Sequence, residues 1–324
     1  MTSYIVSTVL TANFAAASLV LARSVVETNP DAVCHLYCLD DAAHALLAPV
    51  IPARVRLFCA RDLFDVIPAA DYARLEAGRP VSAFCWTLKP VVIAHAMKVM
   101  PNAEWYAFSD SDMMVTADLA PRFAAARTRS ALATPHAFRY PLFWGTEYLY
   151  GHYNAGFVAF RATPEGRAML QWWRGLCLTH CPALPEPDAF GDQKYIEQMV
   201  IRYPDQVSTG FPFINAAAWN IGQEEILDSA NGPAWRGQVI RLYHFQGLRL
   251  LGRGWVDLYS DTFPLSASVR RLIYRPYVKA LRQAIRDIGP SGDALFEVAV
   301  SIPELAMRLW QRMLGRRSLV HWPD

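Results

Sequence analysis

Two aspartates, Asp110 and Asp112, lie at the end of an apolar run that begins at Trp105. Two carboxylates spaced i, i+2 at the end of a strand face the same way, and a slight turn lets both bind one hard divalent cation. A cation held in this way keeps open positions for phosphate oxygens. Because short motifs match by chance, the alternative is a polar turn over residues 109–112 that caps the next element. The surrounding elements must distinguish the two.

The stretch before these aspartates alternates strand and helix patterns. The predicted strands are residues 4–10, 34–39 and 55–59, and the predicted helix is residues 15–28. This alternation predicts an α/β fold with a mainly parallel, doubly wound sheet. Ligands of such sheets bind at the carboxyl ends of the strands, where Thr11, Asn13 and the two aspartates would lie.

A second helix is predicted over residues 87–100, immediately before the strand that carries the aspartates. Pro90 would then fall in its first turn, where a helix tolerates proline. Lys89 would lie near the helix N-terminus and could bind an anion; the alternative is a solvated surface charge.

Polar residues also open or close the later elements. Asn154 lies among the small and polar residues that open a predicted strand over residues 153–160, Asp192 and Gln193 begin a helix, and His244 falls in a last predicted strand over residues 241–247. The alternatives are a helix cap for Asp192 and a buried, hydrogen-bonded core histidine for His244. The aromatic, glycine-containing stretch at 140–153 predicts either a sugar-binding wall or a loop packed on its own hydrophobic side chains.

In chain order, these residues resemble the motifs of GT-A-fold glycosyltransferases of family 8, a family that includes bacterial lipopolysaccharide glucosyl- and galactosyltransferases and glycogenin. The motifs are Asn13, Asp110-x-Asp112, Asn154-Ala155-Gly156, Asp192-Gln193 and His244-x-x-Gly247. The resemblance covers residues 4–250, and the ordered series is more specific than the D-x-D motif alone. It implies a Rossmann-like GT-A fold and a retaining hexosyl transfer from a nucleotide-diphosphate sugar, most often a UDP-sugar, to a surface glycan or lipopolysaccharide-type acceptor.

The resemblance also implies residue roles. Asp110, Asp112 and His244 would bind Mn²⁺ or Mg²⁺, and this ligand set suits Mn²⁺ better than Ca²⁺. The residues implied to hold the nucleotide sugar are Thr11, Asn13, Lys89, Ser111, Ala155, Gly156, Gly247 and Arg249. Asn154, Asp192 and Gln193 would surround the reacting carbon. Because the amide of Gln193 is a weak nucleophile, we favour same-face attack, in which the leaving phosphate accepts the proton of the acceptor hydroxyl.

The chain departs from the family pattern at two places. Thr11 and Ala12 stand where the family usually has an acidic residue that contacts uracil, so the base stays open. Leu250 replaces the lysine of the H-x-x-G-x-x-K-P-W motif, and Arg249 or Arg253 could supply that contact to the diphosphate.

The charge distribution predicts a transferase domain at 1–264 and a basic tail at 265–324, where ten Lys and Arg face five Asp and Glu. The tail has amphipathic helix patterns at 269–286 and 303–317, which suit either an anionic membrane surface or a cover for the sheet. The net charge of +2 is too small to indicate a nucleic-acid partner. Residues 4–22 are apolar, but no basic residue precedes Arg23, so we expect a cytoplasmic protein whose tail can reach the inner face of the plasma membrane.

Two other classes fit parts of the sequence. A non-catalytic protein that binds nucleotide sugars or glycans on the same fold would explain the missing acidic and lysine contacts. A phosphatase of the haloacid dehalogenase type also uses D-x-D, with the first aspartate as nucleophile. That motif normally lies in the first strand with Thr or Val two residues after the second aspartate, where this chain has Met114.

Overall fold

The computed structural model of this protein describes residues 3–139, 145–210, 212–251, 254–258, 263–289 and 319–323. The strands in chain order are β1 Tyr4–Leu10, β2 Ala32–Cys38, β3 Val55–Cys59, β4 Trp105–Ser109, β5 Met113–Val115, β6 Ala131–Pro135, β7 Tyr153–Arg161, β8 Val207–Thr209, β9 Ala216–Ala217, β10 Leu227–Ser229, β11 Gly232–Trp235, β12 Gln238–Val239, β13 Leu242–His244, β14 Arg249–Leu250, β15 Trp255–Asp257 and β16 Leu319–His321. The α-helices are α1 Ala15–Thr28, α2 Asp41–Leu47, α3 Ala69–Gly78, α4 Val81–Val99, α5 Ala120–Ala125, α6 Thr146–Tyr150, α7 Pro164–Thr179, α8 Gln193–Arg202, α9 Ala218–Ile221, α10 Ala267–Val269 and α11 Arg275–Ile288.

Seven strands form a central sheet in the order β3-β2-β1-β4-β7-β6-β8. The pairs among β3, β2, β1 and β4 are parallel, whereas β7 runs antiparallel to both β4 and β6. Strand β8 is parallel to β6, so every strand of this sheet except β7 points the same way. The predicted α/β class and mainly parallel sheet are therefore confirmed.

The reversal of β7 determines which residues reach the functional edge of the sheet. The carboxyl ends of β1, β4 and β6 lie at that edge, and the antiparallel β7 brings its amino end, residues 153–156, to the same edge. All seven residues of β1 are buried, as expected for a central strand covered on both faces. One face packs against α1 and α11, and the other packs against α4 and α7.

The helix before the central strand is longer than the sequence pattern predicted. Helix α4 begins at Val81, directly after Pro80, and runs without interruption through Pro90 to Val99. The prediction that Pro90 and Lys89 lie in the first turn is therefore wrong. The helix extends back to Val81 because Ala83 and Phe84 in its early turns are buried, and this burial offsets the hydrogen bond lost at Pro90.

The apolar run that contains the two aspartates contributes one strand to each of two sheets. Strand β4 belongs to the central sheet, whereas β5 joins a small sheet in the order β5-β13-β9. Residues 110–112 form the turn between them. The predicted strand at 241–247 is present as β13 but is not the last, because β14, β15 and β16 form a further sheet.

The first helical segment of the predicted tail packs into the same core as the sheet. It consists of α10, a π-helical turn over Arg270–Tyr274, and α11. Tyr277 stacks on Phe245 with ring centroids 3.6 Å apart, and Arg23 of α1 forms an ion pair with Asp287 at 2.5 Å. The predicted helix at 303–317 lies outside the described residues. None of the helices in the described ranges has the length and apolar character needed to cross a lipid bilayer.

Candidate metal centre and cavity

The small sheet places His244 beside Asp112. In the antiparallel pairing of β5 with β13, His244 is opposite Met113, and the backbone N–H of Phe245 donates to the carbonyl of Asp112 at 2.9 Å. The His244 Nε2 atom consequently lies 3.1 Å from Asp112 Oδ1. Residues 132 positions apart in the chain thus become neighbours through one short ladder.

The central sheet places Gly156 beside Asp110. The β4–β7 ladder ends with Ser109 opposite Phe157, and the N–H of Asp110 then donates to the carbonyl of Gly156 at 2.8 Å. A Cβ atom at position 156 would lie 2.6 Å from Asn154 Oδ1 and 2.9 Å from His244 Nδ1. Glycine at position 156 therefore leaves space for both side chains.

Asp110, Asp112 and His244 form a three-residue ligand set. One ligand atom from each residue lies within 4.8 Å of the others, a separation that a single cation can bridge. Both carboxylates are half-buried and His244 is buried. Two carboxylates with one imidazole fit Mn²⁺ or Mg²⁺, and the imidazole favours Mn²⁺.

The charges of this ligand set are coupled. Burial alone would lower the pKa of His244, but the neighbouring carboxylates of Asp112 and Asp110 outweigh burial and raise it. Burial pushes the pKa of Asp112 upward, and the contact with His244 reverses that effect and lowers it. The carboxylate of Asp112 is thus held ionised, as a metal ligand must be.

Lys89 is neither a solvated charge nor a free anion-binding group. It is buried, and its Nζ lies 2.9 Å from Asp110 Oδ1 and 3.5 Å from Asp192 Oδ2 and donates to the carbonyl of Ala155 at 3.2 Å. Burial would lower the pKa of Lys89, but the two carboxylates raise it. Lys89 therefore remains a cation that joins the metal ligand Asp110 to Asp192.

Asp192 precedes α8 but does not cap it with its side chain. Its carboxylate is buried against Lys89, and burial raises its pKa to about 6 despite that opposing contact. The backbone carbonyl of Asp192 accepts from the Trp173 indole N–H at 3.0 Å, which fixes this turn. Because the Asp192 side chain makes no cap hydrogen bond to α8, the helix-cap alternative for this side chain is excluded.

The next residue, Gln193, donates its side-chain N–H to the Tyr150 carbonyl at 2.7 Å.

These side chains open onto one cavity of about 790 Å³. The predicted site residues that line it are Thr11, Lys89, Asp110, Ser111, Asp112, Asn154, Gly156, Asp192, Gln193 and His244. Four other predicted residues are not part of the lining: Asn13 and Arg249 are exposed, Ala155 is buried, and Gly247 lies in the turn after β13. Arg253 lies outside the described residues.

An aromatic wall forms another part of the cavity. Phe190 has ring centroids 5.7 Å from Trp86 and 5.0 Å from Tyr150. Tyr150 belongs to α6, so the described part of the predicted irregular stretch at 140–153 includes a short helix, while residues 140–144 lie outside the described residues. Gly191 has φ +50°, and a Cβ there would lie 2.9 Å from the Trp86 ring. Glycine at this position therefore allows the backbone to pack closely against Trp86.

Two residues that were not predicted from the sequence, His136 and Asn215, also belong to this site. His136 directly follows β6, at the same sheet edge as Asp110, and lines the cavity. The strand β6 was not predicted, but the apolar run at residues 131–133 followed by polar residues is a signal of the kind that selected Asp110. Asn215 is buried and donates its side-chain N–H to Asn154 Oδ1 at 2.7 Å, and no local pattern marks it.

Replacing Gly156 by alanine is expected to weaken Mn²⁺ binding by about 10–100-fold, the range typical of disturbed outer-shell groups. The added methyl would displace Asn154 or His244, both of which are held by neighbouring residues. Isothermal titration with Mn²⁺ measures this effect. Gly175→Ala in α7 is the matched control, since nothing lies within 4 Å of its added Cβ. Equal affinities in the two variants would contradict this packing account.

Comparison with known proteins gives distant relatives. No family model matches the chain. It is 24% identical over 283 residues to the uncharacterized protein YfnF of Bacillus subtilis, covering 83% of this chain and 90% of that protein. It is 28% identical over 264 residues to the uncharacterized protein YfnD of the same organism, covering 78% and 81%. Among solved structures, the galactosyltransferase LgtC in complex with donor and acceptor sugar analogues has a TM-score of 0.46 at 15% identity, covering 86% of this chain and 95% of that one.

Proposed function

We propose that this chain is a metal-dependent glycosyltransferase with a GT-A-type fold. Its donor is a nucleotide-diphosphate hexose, with a UDP-sugar favoured, and its acceptor is a hydroxyl of a surface glycan or glycolipid. The observation that carries the proposal is the convergence of Asp110, Asp112 and His244 in the lining of a cavity of about 790 Å³, a volume that accommodates a nucleotide sugar. The motif series found in the sequence supports the same class.

The ligand set fits Mn²⁺ or Mg²⁺, and a bound ion would stabilise the charge that develops on the leaving diphosphate. The protein's own contribution is to hold the ligand side chains in place before the donor binds. Lys89 contacts Asp110 directly, and Gly156 leaves room for His244. This preorganisation lowers the reorganisation needed when charge moves during the reaction.

The residues beyond the metal ligands would position the sugar. Asp192, Gln193 and Asn154 all line the cavity. The carboxylate of Asp192 is neutralised by Lys89 and Gln193 is an amide, so neither is a strong nucleophile. We therefore favour retention through same-face attack, with the proton of the acceptor hydroxyl passing to the leaving phosphate.

A thermal-shift panel tests this function. The panel contains UDP, GDP, ADP, CDP and dTDP with their glucose, galactose and mannose conjugates where these exist, each with Mn²⁺ and with EDTA. A ligand at 100 times its dissociation constant should add about 2.7 kcal/mol to the free energy of unfolding. Stabilisation that requires Mn²⁺, followed by release of the nucleoside diphosphate with a glycan acceptor, supports the transferase. Binding without release would favour a non-catalytic nucleotide-sugar-binding protein, and no stabilisation by any member would contradict the proposal.

The affinity for Mn²⁺ is expected to fall at acidic pH. His244 binds metal only through its neutral imidazole, and its raised pKa means that protons compete with the ion at a higher pH than for an ordinary histidine. Below that pKa the affinity should drop about tenfold per pH unit from this residue alone. Titrations with Mn²⁺ at pH 5.5, 6.5, 7.5 and 8.5 measure the slope. A pH-independent affinity would exclude His244 as a ligand.

We also propose a cytoplasmic location and binding of the tail to anionic membrane surfaces. The apolar face of α11 is buried in the core, but Arg271, Arg275, Lys279 and Arg286 are exposed along one side. Such a stripe suits lipid headgroups electrostatically, at about 1 kcal/mol per charge. Sedimentation with phosphatidylserine vesicles should retain the wild type and lose a variant with these four residues changed to glutamine. Because the four side chains are exposed, the substitutions should leave the core unchanged. Equal sedimentation of the wild type and the variant would overturn this proposal.

A further inference from the structure

His136 is a buried histidine at the edge of the cavity with a polar partner for each ring nitrogen. It follows β6 directly and is 4% exposed. Its Nδ1 lies 2.9 Å from the carbonyl oxygen of Gly151, and its Nε2 lies 3.1 Å from Asn154 Nδ2. The ring stacks on Phe138 with centroids 4.9 Å apart. Both nitrogens are therefore committed to defined neighbours.

These contacts determine the tautomer of His136. The carbonyl of Gly151 can only accept, so Nδ1 must carry the proton. In the neutral ring Nε2 is then an acceptor, and it faces the amide nitrogen of Asn154, which can only donate. The environment thus favours the Nδ1–H tautomer, whereas neutral histidine in water favours the proton on Nε2.

The same logic determines the orientation of the Asn154 amide. Its Oδ1 accepts from the backbone N–H of Gly156 at 2.8 Å and from the side-chain N–H of Asn215 at 2.7 Å. A flipped amide would direct its NH₂ group at these two donors and its oxygen at the lone pair of His136. Because the amide nitrogen bears two hydrogens and His136 accepts one, a second N–H remains.

We propose that His136 is a positioning residue that locks the Asn154 amide so that its remaining N–H is offered to an acceptor oxygen of the sugar. The lock follows from the geometry alone, whereas the identity of the bound group rests on the proposed function. A sugar hydroxyl provides the acceptor oxygen that this N–H needs. The diphosphate is not part of this contact.

The tautomer provides a test that needs no ligand. Selective ¹⁵N labelling of the eight histidines and a long-range ¹H–¹⁵N correlation spectrum distinguish Nδ1–H from Nε2–H. Loss of one signal set in His136→Gln assigns this residue. We expect Nδ1–H at pH 7.5, together with slow hydrogen exchange of the Asn154 side-chain amide. An Nε2–H tautomer or a freely exchanging amide would overturn the lock.

Two substitutions separate positioning from packing. In His136→Asn the short amide can still donate to the Gly151 carbonyl but leaves Asn154 without its acceptor. In His136→Gln the longer side chain brings Oε1 towards the former Nε2 position and restores that acceptor. We expect the asparagine variant to bind UDP with Mn²⁺ normally but to lose about three- to tenfold in the additional affinity for UDP-glucose or UDP-galactose, the value of one hydrogen bond. The glutamine variant should stay within about twofold of the wild type.

The outcomes for the lock and for the proposed function are separable. Equal losses for UDP and the UDP-sugars in both variants would show that His136 acts through packing alone, which contradicts the proposal. If the wild type binds no panel member, the proposed function fails, and the tautomer together with the Asn154 amide exchange decides the lock by itself.

Discussion

Replacing Asp112 by alanine is expected to reduce Mn²⁺ affinity by at least about 100-fold, beyond the usual range for outer-shell groups, and to remove metal-dependent nucleotide binding. Asp112 supplies a charged ligand and also contacts His244 Nε2 at 3.1 Å. Its loss therefore removes one ligand and frees the imidazole of another. Titration with Mn²⁺, with and without UDP, measures the effect.

Two further variants sharpen this prediction. Asp112→Asn keeps the shape and one oxygen but removes the charge, so its affinity should fall between those of the wild type and the alanine variant. Asp205→Ala is the control for a general effect of charge, since its side chain is 96% exposed. Unfolding in EDTA should show that Asp112→Ala remains folded. If Asp112→Ala bound Mn²⁺ as tightly as the wild type, Asp112 would not be a metal ligand. The function inferred from this ligand set would then lose its basis.

Replacing Lys89 by methionine should destabilise the protein by about 3–5 kcal/mol, the cost of removing one partner from a buried ion pair. The change leaves the buried carboxylate of Asp192 without its cation and removes the contact with Asp110. Methionine keeps most of the side-chain volume, so packing changes little. Urea unfolding at pH 8 measures the loss.

The loss in Lys89→Met should diminish as the pH falls. The pKa of Asp192 in the folded state is already about 6, above its ordinary value near 4, so protonation favours the folded state. Without Lys89 that pKa rises further, and stability should be regained between pH 8 and pH 6. The double variant Lys89→Met with Asp192→Asn should recover part of the loss at pH 8.

Lys98 offers a matched control on the same helix. It forms an ion pair with Asp65 at 3.2 Å, but both side chains are more than half exposed. Surface pairs of this kind contribute about 0–1 kcal/mol, so Lys98→Met should have little effect. Similar losses of unfolding free energy in Lys89→Met and Lys98→Met would show that burial does not strengthen the ion pairs of Lys89 with Asp110 and Asp192.

Local patterns predicted the framework of this protein with good boundaries. The predicted ranges 4–10, 15–28 and 55–59 coincide with β1, α1 and β3. Each of these elements is governed by interactions between near neighbours: an apolar run for a strand buried on both faces, helical spacing, and a Pro30 that ends α1. The D-x-D motif was visible for the same reason, since its two carboxylates are separated by one residue.

The extent of α4 could not be predicted from the local sequence pattern, because burial of Ala83 and Phe84 outweighs the local preference around Pro90. The roles of Lys89 and Asp192 were also hidden, since their partners are distant in the chain.

The assembled site was decided by tertiary structure. His244 meets Asp112 only through the β5–β13 ladder, and Asn154 reaches the same edge only because β7 runs antiparallel to β4. His136 and Asn215 join through hydrogen bonds to Asn154 across sequence separations of 18 and 61 residues. The sequence by itself determined which elements form and which two carboxylates follow the central strand. Strand pairing then decided which distant polar side chains surround them, because hydrogen-bond registers depend on the whole sheet and not on neighbouring residues.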